Sequence, residues 1–489
     1  VFKGPSRGLR LLPRLEDNAL TLAAAYGELT DAIRHKHAIT PAAEWLVDNF
    51  HIVEDQLREI RQDLPRGYYY ELPKLIEGSL AGYPRIYAIA LALIAHTDSR
   101  LDIDTLKRFI RAYQQQSPLS IGEVWAVAIT LRLALVENLR RLASLILAAR
   151  EQRKQAGALA DQLIQIVARR PRDKASFLAE QLRKRKEFAP SFVAHLTERL
   201  RDQDPSVTTA LDSLEIRLAQ KGHSIERLLQ SEYQQQAAAQ VTVANIITSM
   251  RLLSTLDWRD FFESVSLVDQ VLGEDPAGAY AGMDFATRDR YRHVIERISK
   301  RAKADEIDVA RRAVEMARES DPQHPARSHI GYYLIDGGLP RLEKAFEYRL
   351  RPGELVSRGV LRHPTFFYLG TLALLTALLI GLPVVYGFYV GAGPLALALI
   401  ALLSGVPTSD MALGLLNWAL TSAIKPRPLP KMGLSSGIPE EARTIVVIPA
   451  LLTDESVTYE LLEKLEVHYL ANRDEHLYFA LLTDFADAS

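Results

Sequence analysis

The chain has no cysteine among its 489 residues, which removes disulfides, thiolate zinc sites and cysteine nucleophiles together. Metal chemistry would have to rest on histidine and carboxylates, and no His-Glu-x-x-His pair is present to suggest a zinc hydrolase. A Gly-rich phosphate loop is also missing, which disfavours a Rossmann dinucleotide site and a P-loop. Net charge is close to nil, since 59 Lys and Arg oppose 60 Asp and Glu for a balance of −1. Without a global field, an electrostatic partner must be met by a local patch, and no nucleic-acid partner is expected. The first residues, Val1-Phe-Lys-Gly-Pro-Ser-Arg-Gly8, lack an initiator Met and an apolar leader, so no secretory signal is visible and the N-terminus reads as trimmed. The most telling absence is local: from His363 to Ser409, 47 consecutive residues carry no Lys, Arg, Asp or Glu.

Outside that run the composition, 48% hydrophobic and 24% charged, is that of folded protein. From Leu12 to about Leu350 apolar residues recur at three and four, which predicts a mainly α region. Thr40-Pro41 reads as an N-cap followed by proline at the first helical position. Leu46, Phe50, Val53, Leu57 and Ile60 then make one apolar stripe of a helix about 24 residues long, ended by Leu64-Pro65. Ser120-Ile-Gly-Glu123 reads as a capping box ahead of a helix toward Arg150, with Trp125, Val127, Leu131 and Leu135 on its apolar face. Ile86 to Ala95 is too short to cross about 30 Å of hydrocarbon and is read as a buried helix. Loops are expected near Arg169-Arg-Pro-Arg172, Arg201 to Pro205, Gly273 to Gly278 and Ser320 to Pro325, where charge meets Pro or Gly.

Several polar clusters have ordinary explanations. A solvated helix face accounts for Arg183-Lys-Arg-Lys186 with Arg169, Arg170 and Arg172, and no site is assigned there. Asp284, Arg288, Asp289 and Arg292 stand three and four apart, as intrahelical ion pairs do. Tyr68-Tyr-Tyr70 is expected to pack a turn, stacking on sugar being the rarer use of such residues.

Thr365 to Tyr386 is an uncharged, Leu-rich stretch with Phe366, Phe367, Tyr368 and Tyr386 near its ends, which predicts a membrane-spanning helix. A turn at Tyr389 to Pro394 follows. The apolar run Leu395 to Val406 covers only about 18 Å at 1.5 Å per residue. It either continues with a kink past Pro407 to Trp418 or gives way to a separate interfacial helix from Ser409 to Ile424, which the Ser409-Asp410 pair favours as an N-cap. Arg349, Arg351, Arg358 and Arg362 precede the hairpin, Lys425, Arg427 and Lys431 follow it, and the turn is uncharged, so both flanks are expected on the cytoplasmic side.

Beyond the hairpin, Thr444-Ile-Val-Val-Ile-Pro-Ala450 reads as a fully buried parallel strand, Ser456 to Tyr469 as a helix and Leu477 to Thr483 as a second strand. In such a unit the ligand crevice lies at the carboxyl ends of the strands, where Pro449, Glu455, Asp484 and Asp487 are expected to converge. A carboxylate there can accept a hydrogen bond from a uracil N–H or a ribose hydroxyl.

The sequence resembles the cyclic β-1,2-glucan synthases of bacterial inner membranes over nearly its whole length. The likeness is carried by Gly4-Pro-Ser-Arg-Gly-Leu-Arg-Leu-Leu12, Tyr69-Tyr-Glu-Leu-Pro-Lys74, Asp257-Trp-Arg-Asp-Phe-Phe-Glu263, Asp275-Pro-Ala-Gly278, Met283 to His293 and His329 to Asp336. Leu429-Pro-Lys431, Val446-Val-Ile-Pro449, Leu465 to Leu470 and Leu481-Leu-Thr-Asp484 extend it across the junction. The resemblance implies a very long, multi-pass inner-membrane protein. Its parts would be a helical cytoplasmic region (1–350 here), a membrane hairpin with an interfacial helix (363–424), a cytoplasmic UDP-glucose-dependent glucosyltransferase domain of GT-A-like α/β fold whose start is 440–489, further membrane helices and a phosphorylase-like C-terminal domain associated with chain-length control. Expected partners are the lipid bilayer, the nucleotide sugar, the growing β-1,2-glucan and the remainder of the parent polypeptide.

Such a fold holds UDP through an Asp-x-Asp motif and a divalent metal, Mg or Mn, with a catalytic base beyond it. None of these is assigned here, so no catalytic or metal residue is named, and the isolated fragment is expected to be inactive. Donor binding is carried over to Asp484, with Glu455 and Pro449 lining the pocket and Asp487 beside them; a strand-terminal Asp can also simply cap a turn. Two rival readings are a membrane-anchored helical scaffold with a degenerate α/β tail and a processive transferase making a different polysaccharide.

Overall fold

A computed structural model describes residues 11–64, 71–169, 180, 188–201, 205–321, 323–424, 426, 428–435, 437–452 and 454–485. Residues 4–10, Tyr68 to Tyr70, Arg170, Arg172, Arg183 to Lys186 and Asp487, all singled out above, lie outside the described residues. The chain forms two compact units, Val1–Leu267 and Val268–Ser489. That division falls inside the region read from sequence as one helical stretch.

The first unit is helical. Helices α1 (Leu11–Arg34), α2 (Pro41–Asp48), α3 (Phe50–Asp63), α4 (Arg85–His96) and α5 (Ile103–Gln116) precede a spine, α6 (Ile121–Arg169). Its 49 residues span about 73 Å at 1.5 Å per residue, well beyond the expected end near Arg150. Then come α7 (Pro190–Arg201), α8 (Pro205–Ala219), α9 (Ile225–Thr255) and α10 (Trp258–Val265). Helices α1, α3, α4, α7 and α9 all pack against α6. The core has two parts along this spine. Near its start Val127, Leu131 and Leu135 are buried as expected, with Trp125 stacked on Phe262 at 4.5 Å. Farther along, Ala156, Ala160 and Leu163 meet Phe192, Val193 and Leu196 of α7 and Leu214 and Leu218 of α8.

Three local expectations can be compared directly with this unit. The Ser120–Glu123 capping box forms: the Ser120 amide donates to Glu123 Oε2 at 3.0 Å and the Glu123 amide to Ser120 Oγ at 3.3 Å. The same carboxylate also accepts from Arg85 at 2.5 and 2.8 Å in a buried pair, so it closes a cap and a tertiary contact together. Helix α4 is buried along most of its length, which agrees with the reading of Ile86 to Ala95 as a core helix. The expected single helix after Thr40 is two helices broken at Asn49, whose φ of −109° and ψ of 17° are not helical. Asn49 Nδ2 donates to the Trp45 carbonyl at 2.9 Å, which also accepts from the Asn49 amide at 3.2 Å. Leu46, Phe50, Val53, Leu57 and Ile60 remain buried on both sides of it. The Thr40 hydroxyl does not cap α2; it is buried without a hydrogen bond among the described residues.

The second unit opens with α11 (Leu267–Leu272), a 3₁₀ turn at Tyr280–Gly282, α12 (Phe285–Ala302), α13 (Glu306–Arg318), α14 (Ile330–Ile335), α15 (Leu339–Ala345) and α16 (Pro352–Arg362). Next come two long apolar helices, α17 (Pro364–Tyr389) and α18 (Pro394–Ala423), packed on each other. Both are long and apolar enough to cross a membrane, and almost none of their apolar side chains is buried. At the tip a Cβ on Gly387 would come 2.9 Å from Ile400 Cδ1 and 3.2 Å from Leu397 Cδ2, so a larger residue would have to push these side-chain ends aside at the close crossing. Lower down, the Tyr368 hydroxyl donates to Asn417 Oδ1 at 3.0 Å.

The break expected at Ser409 is absent, and α18 runs unbroken through Pro407. A proline removes one amide from the ladder. Here hydroxyls bond carbonyls around it: Thr408 donates to the Ser404 carbonyl at 2.6 Å, Ser409 to that of Val406 at 2.8 Å and Ser404 to that of Ala401 at 3.3 Å. Ser409 thus lies inside the helix rather than capping a new one.

Last come β1 (Thr444–Leu452), α19 (Glu455–Ala471) and β2 (Leu477–Phe485). The strands are parallel, in a register that pairs Thr444 with Leu477 and Leu452 with Phe485. The strand, helix, strand order therefore matches the reading. Burial does not: Ile445, Val447, Leu451, Tyr478 and Leu482 are exposed, because two strands and one helix cannot cover both faces of a sheet.

Candidate functional site

The carboxyl end of the β1–β2 pair is where a ligand crevice is sought in this topology. Asp484 stands in register with Leu451, and Pro449 with Leu482. Asp484 is therefore the penultimate residue of β2, one residue inside the strand end rather than after it. Glu455 is the first residue of α19, and its carboxylate has no partner among the described residues. Asp487 is outside the described residues.

A residue that the sequence reading passed over organises this end. Asp454 is the N-cap of α19, accepting from the Ser456 and Val457 amides at 2.7 and 3.0 Å and from the Ser456 hydroxyl at 2.6 Å. The hydrogen bond from the Ser456 side chain, then the Val457 amide, hold its carboxyl below the usual range. The signal was present as Asp454-Glu455-Ser456, an Asp directly ahead of an amphipathic run. At the opposite end Asp474 accepts from the Ile438 and His476 amides at 2.9 Å each, which ties the approach to β1 to the approach to β2. Both strand ends are thus set by exposed aspartates binding backbone amides.

A second polar constellation lies among the helices of this unit, on the motifs Asp275-Pro-Ala-Gly278, Met283 to His293 and His329 to Asp336. Asp275 accepts from the Ala279, Tyr280 and Ile330 amides at 3.1, 3.2 and 3.1 Å and from His329 Nδ1 at 2.8 Å. The other ring nitrogen, Nε2, is 3.1 Å from the Tyr291 hydroxyl. Burial alone would raise the Asp275 pKa; the bonds from His329 and the Ile330 amide outweigh it and hold the carboxyl below its ordinary value. Burial, then the Asp275 charge, push the Tyr291 phenol up to about 12.

Beside it, Arg292 is fully buried, 2.7 Å from Asp269 Oδ1, and lies over the Phe285 ring at 5.0 Å. The Tyr280 hydroxyl donates to the same Asp269 oxygen at 2.5 Å. The intrahelical reading of this motif is therefore only part of the account, since one i,i+3 pair, Asp289 with Arg292, is present. Asp284 is the N-cap of α12, accepting from the Thr287 amide at 2.8 Å, and Arg292 spends its charge on α11, with Asp289 only at 3.9 Å. A carboxylate, imidazole and phenol in series could relay a proton, but Gly331 packs so tightly that an added Cβ would strike Tyr291 Oη and His329. The network is tightly packed, with only His329 partly exposed, and joins the 275–280 turn, α12 and the start of α14.

The segment leaving α18 is strapped to the same α12. The Asp284 amide donates to the Lys431 carbonyl at 2.9 Å, the Lys431 amide to Thr287 Oγ1 at 3.0 Å, and the Gly433 amide to the Gly282 carbonyl at 2.9 Å. Met283 and Met432 form an antiparallel bridge, and Arg290 donates to the Pro428 carbonyl. No group of three His, Asp or Glu side chains that could hold a metal ion occurs among the described residues.

No family model matches the chain. It is 35% identical, over 485 residues and 97% of its length, to a cyclic β-(1,2)-glucan synthase, NdvB, of Rhizobium meliloti strain 1021. The match spans 17% of that relative, so most of the relative lies outside it. The aligned stretch takes in the helical units, both long apolar helices and the strand, helix, strand unit. On this similarity the chain belongs to the cyclic β-1,2-glucan synthase family.

Proposed function

We propose that this chain is part of a membrane-bound glucosyltransferase that makes cyclic β-1,2-glucan from UDP-glucose. One observation carries the reading: 35% identity over 97% of the chain to a protein named for that synthesis. Helices α17 and α18 act as a membrane hairpin, since side chains as apolar as theirs are far better placed in hydrocarbon than in water. Basic residues on both flanks and none in the turn put α1 to α16 and the β1–α19–β2 unit on the cytoplasmic side of the inner membrane, where nucleotide sugars are. The β1–α19–β2 unit opens the donor-binding domain. Asp484 accepts a hydrogen bond from the uridine moiety, Pro449 and Glu455 line the pocket and Asp487 extends it. The metal ligands and the catalytic base belong to the remainder of the parent polypeptide, so the fragment alone is inactive.

The test is UDP-glucose transfer by the full parent protein in membranes, with wild type and Asp484→Ala at matched expression and the product linkage determined. β-1,2-Glucan from wild type and at least about tenfold less from the variant, an effect of about 1.4 kcal/mol, is expected. No glucan from wild type would favour the scaffold reading, and a product of another linkage would favour the processive transferase.

A further inference from the structure

Helix α2 carries an aromatic residue where its own packing does not ask for one. Ala42, Ala43 and Leu46 are buried and form its inner face. Pro41, Glu44, Trp45 and Asp48, spaced at three, four and seven, share the opposite face. Trp45 is 39% exposed there. With Asn49, Gln240 and Arg251 these four residues line a surface cleft of about 360 Å³ between α2 and α9, within the range of ligand sites.

The polar groups around the indole are held ready. Arg251 is fixed by donating to Asn49 Oδ1 at 2.6 Å, and Asn49 is itself anchored through Nδ2 to the Trp45 carbonyl. The helix break at Asn49 is thus part of the cleft wall. Among the described residues the carboxylates of Glu44 and Asp48, the Gln240 amide and the Trp45 indole N–H have no intramolecular partner. The cleft therefore offers acceptors from two carboxylates, donors from an indole and a guanidinium, and an amide able to do both. A strongly acidic ligand would meet Glu44 and Asp48, and a strongly basic one Arg251. A sugar suits this mixture: its hydroxyls donate and accept, and the C–H face of a β-glucosyl ring stacks on an aromatic plane.

We infer that the α2–α9 cleft binds a glucosyl segment of a β-1,2-glucan chain, with Trp45 as the stacking platform and Glu44, Asp48, Gln240 and Arg251 bonding the hydroxyls. The choice of glucan rests on the function proposed above; the cleft and its free polar groups do not. The helical region thereby gains a role as a holding site for product apart from the donor site.

The experiment is equilibrium dialysis of the full 489-residue chain in detergent against linear β-1,2-gluco-oligosaccharides, with UDP-glucose transfer by the parent measured separately. Saturable binding is expected, weakened about tenfold or more by Trp45→Ala, a loss of about 1.4 kcal/mol, and several-fold by Gln240→Ala. Gln240 is exposed on a helix, so its variant keeps the fold, and circular dichroism of each variant checks this. Absence of binding by the wild type, or affinity unchanged by both substitutions, overturns the inference. If the parent makes β-1,2-glucan and the cleft fails this test, the inference falls and the proposed function stands. If the parent makes none while binding still depends on Trp45, the proposed function falls and the cleft stands as a sugar site.

Discussion

Two sets of carboxylates in the second unit meet opposite fates. Asp275 is buried and Asp269 half-buried among the helices, and the two are ringed by donors from Arg292, Tyr280, His329 and three backbone amides. Asp454, Glu455 and Asp484, around the strand ends, sit at an exposed edge, and the Glu455 carboxylate has no partner among the described residues. A buried carboxylate with all its lone pairs engaged is a structural rivet, costly to disturb and shut to ligands. One at an exposed strand edge contributes little to stability, and of these three it is Glu455 whose carboxylate is left for a ligand.

Substitutions should separate the two sets, and the largest effect is expected at Arg292. Arg292→Met leaves Asp269 half-buried without its cation and should lower unfolding stability by about 3 kcal/mol or more, seen as a lower midpoint in chemical denaturation of the full chain in detergent. A midpoint within error of wild type would sink the rivet account. Gly331→Ala should cost about 1–3 kcal/mol by forcing Tyr291 and His329 apart, with loss of the Tyr291–His329 hydrogen bond as its structural signature.

Acid should act next. Glu354 lies 2.6 Å from Arg301 and accepts from the Arg351 amide at 3.2 Å, which lowers its pKa to about 2. The folded value lies below the unfolded one, so this contribution is complete above about pH 4.3 and fades as pH falls toward 2. A Glu354→Gln chain should therefore show a shallower loss of midpoint than wild type between those values. The smallest effect belongs to Asp454→Ala, which removes the cap of α19. It should raise amide exchange in the first turn of α19 and leave the global midpoint nearly unmoved; a large drop would show that the strand edge is a rivet too.

Features that depend on neighbours in the chain were legible before any coordinates. The Ser120–Glu123 box, the buried α4, the long apolar α17 and the strand, helix, strand order each follow from spacing and composition over a few turns. The misreadings share a cause. Asn49, where the helix breaks, is bonded by Arg251, 202 positions away, and the Arg292 pair reaches to Asp269 on another helix. Pro407 lies inside α18 without ending it, in a stretch where Ser404, Thr408 and Ser409 turn their hydroxyls back onto helix carbonyls. The cleft was invisible for a related reason. Trp45 can be seen in sequence to lie off the apolar stripe, but its companions Gln240 and Arg251 come from α9.

By itself, then, the sequence determined the helical character of the chain, the two apolar helices and the parallel strand pair, because hydrophobic period, capping and charge exclusion act locally. Its likeness to glucan synthases also marked which motifs belong together. Tertiary structure alone decided which charges are buried and paired, which carboxylates are exposed at the strand edge, and that α2 and α9 enclose a cleft around Trp45. Those outcomes depend on what lies opposite each side chain in space, and burial, which raises the cost of every unpaired charge, selects the partner.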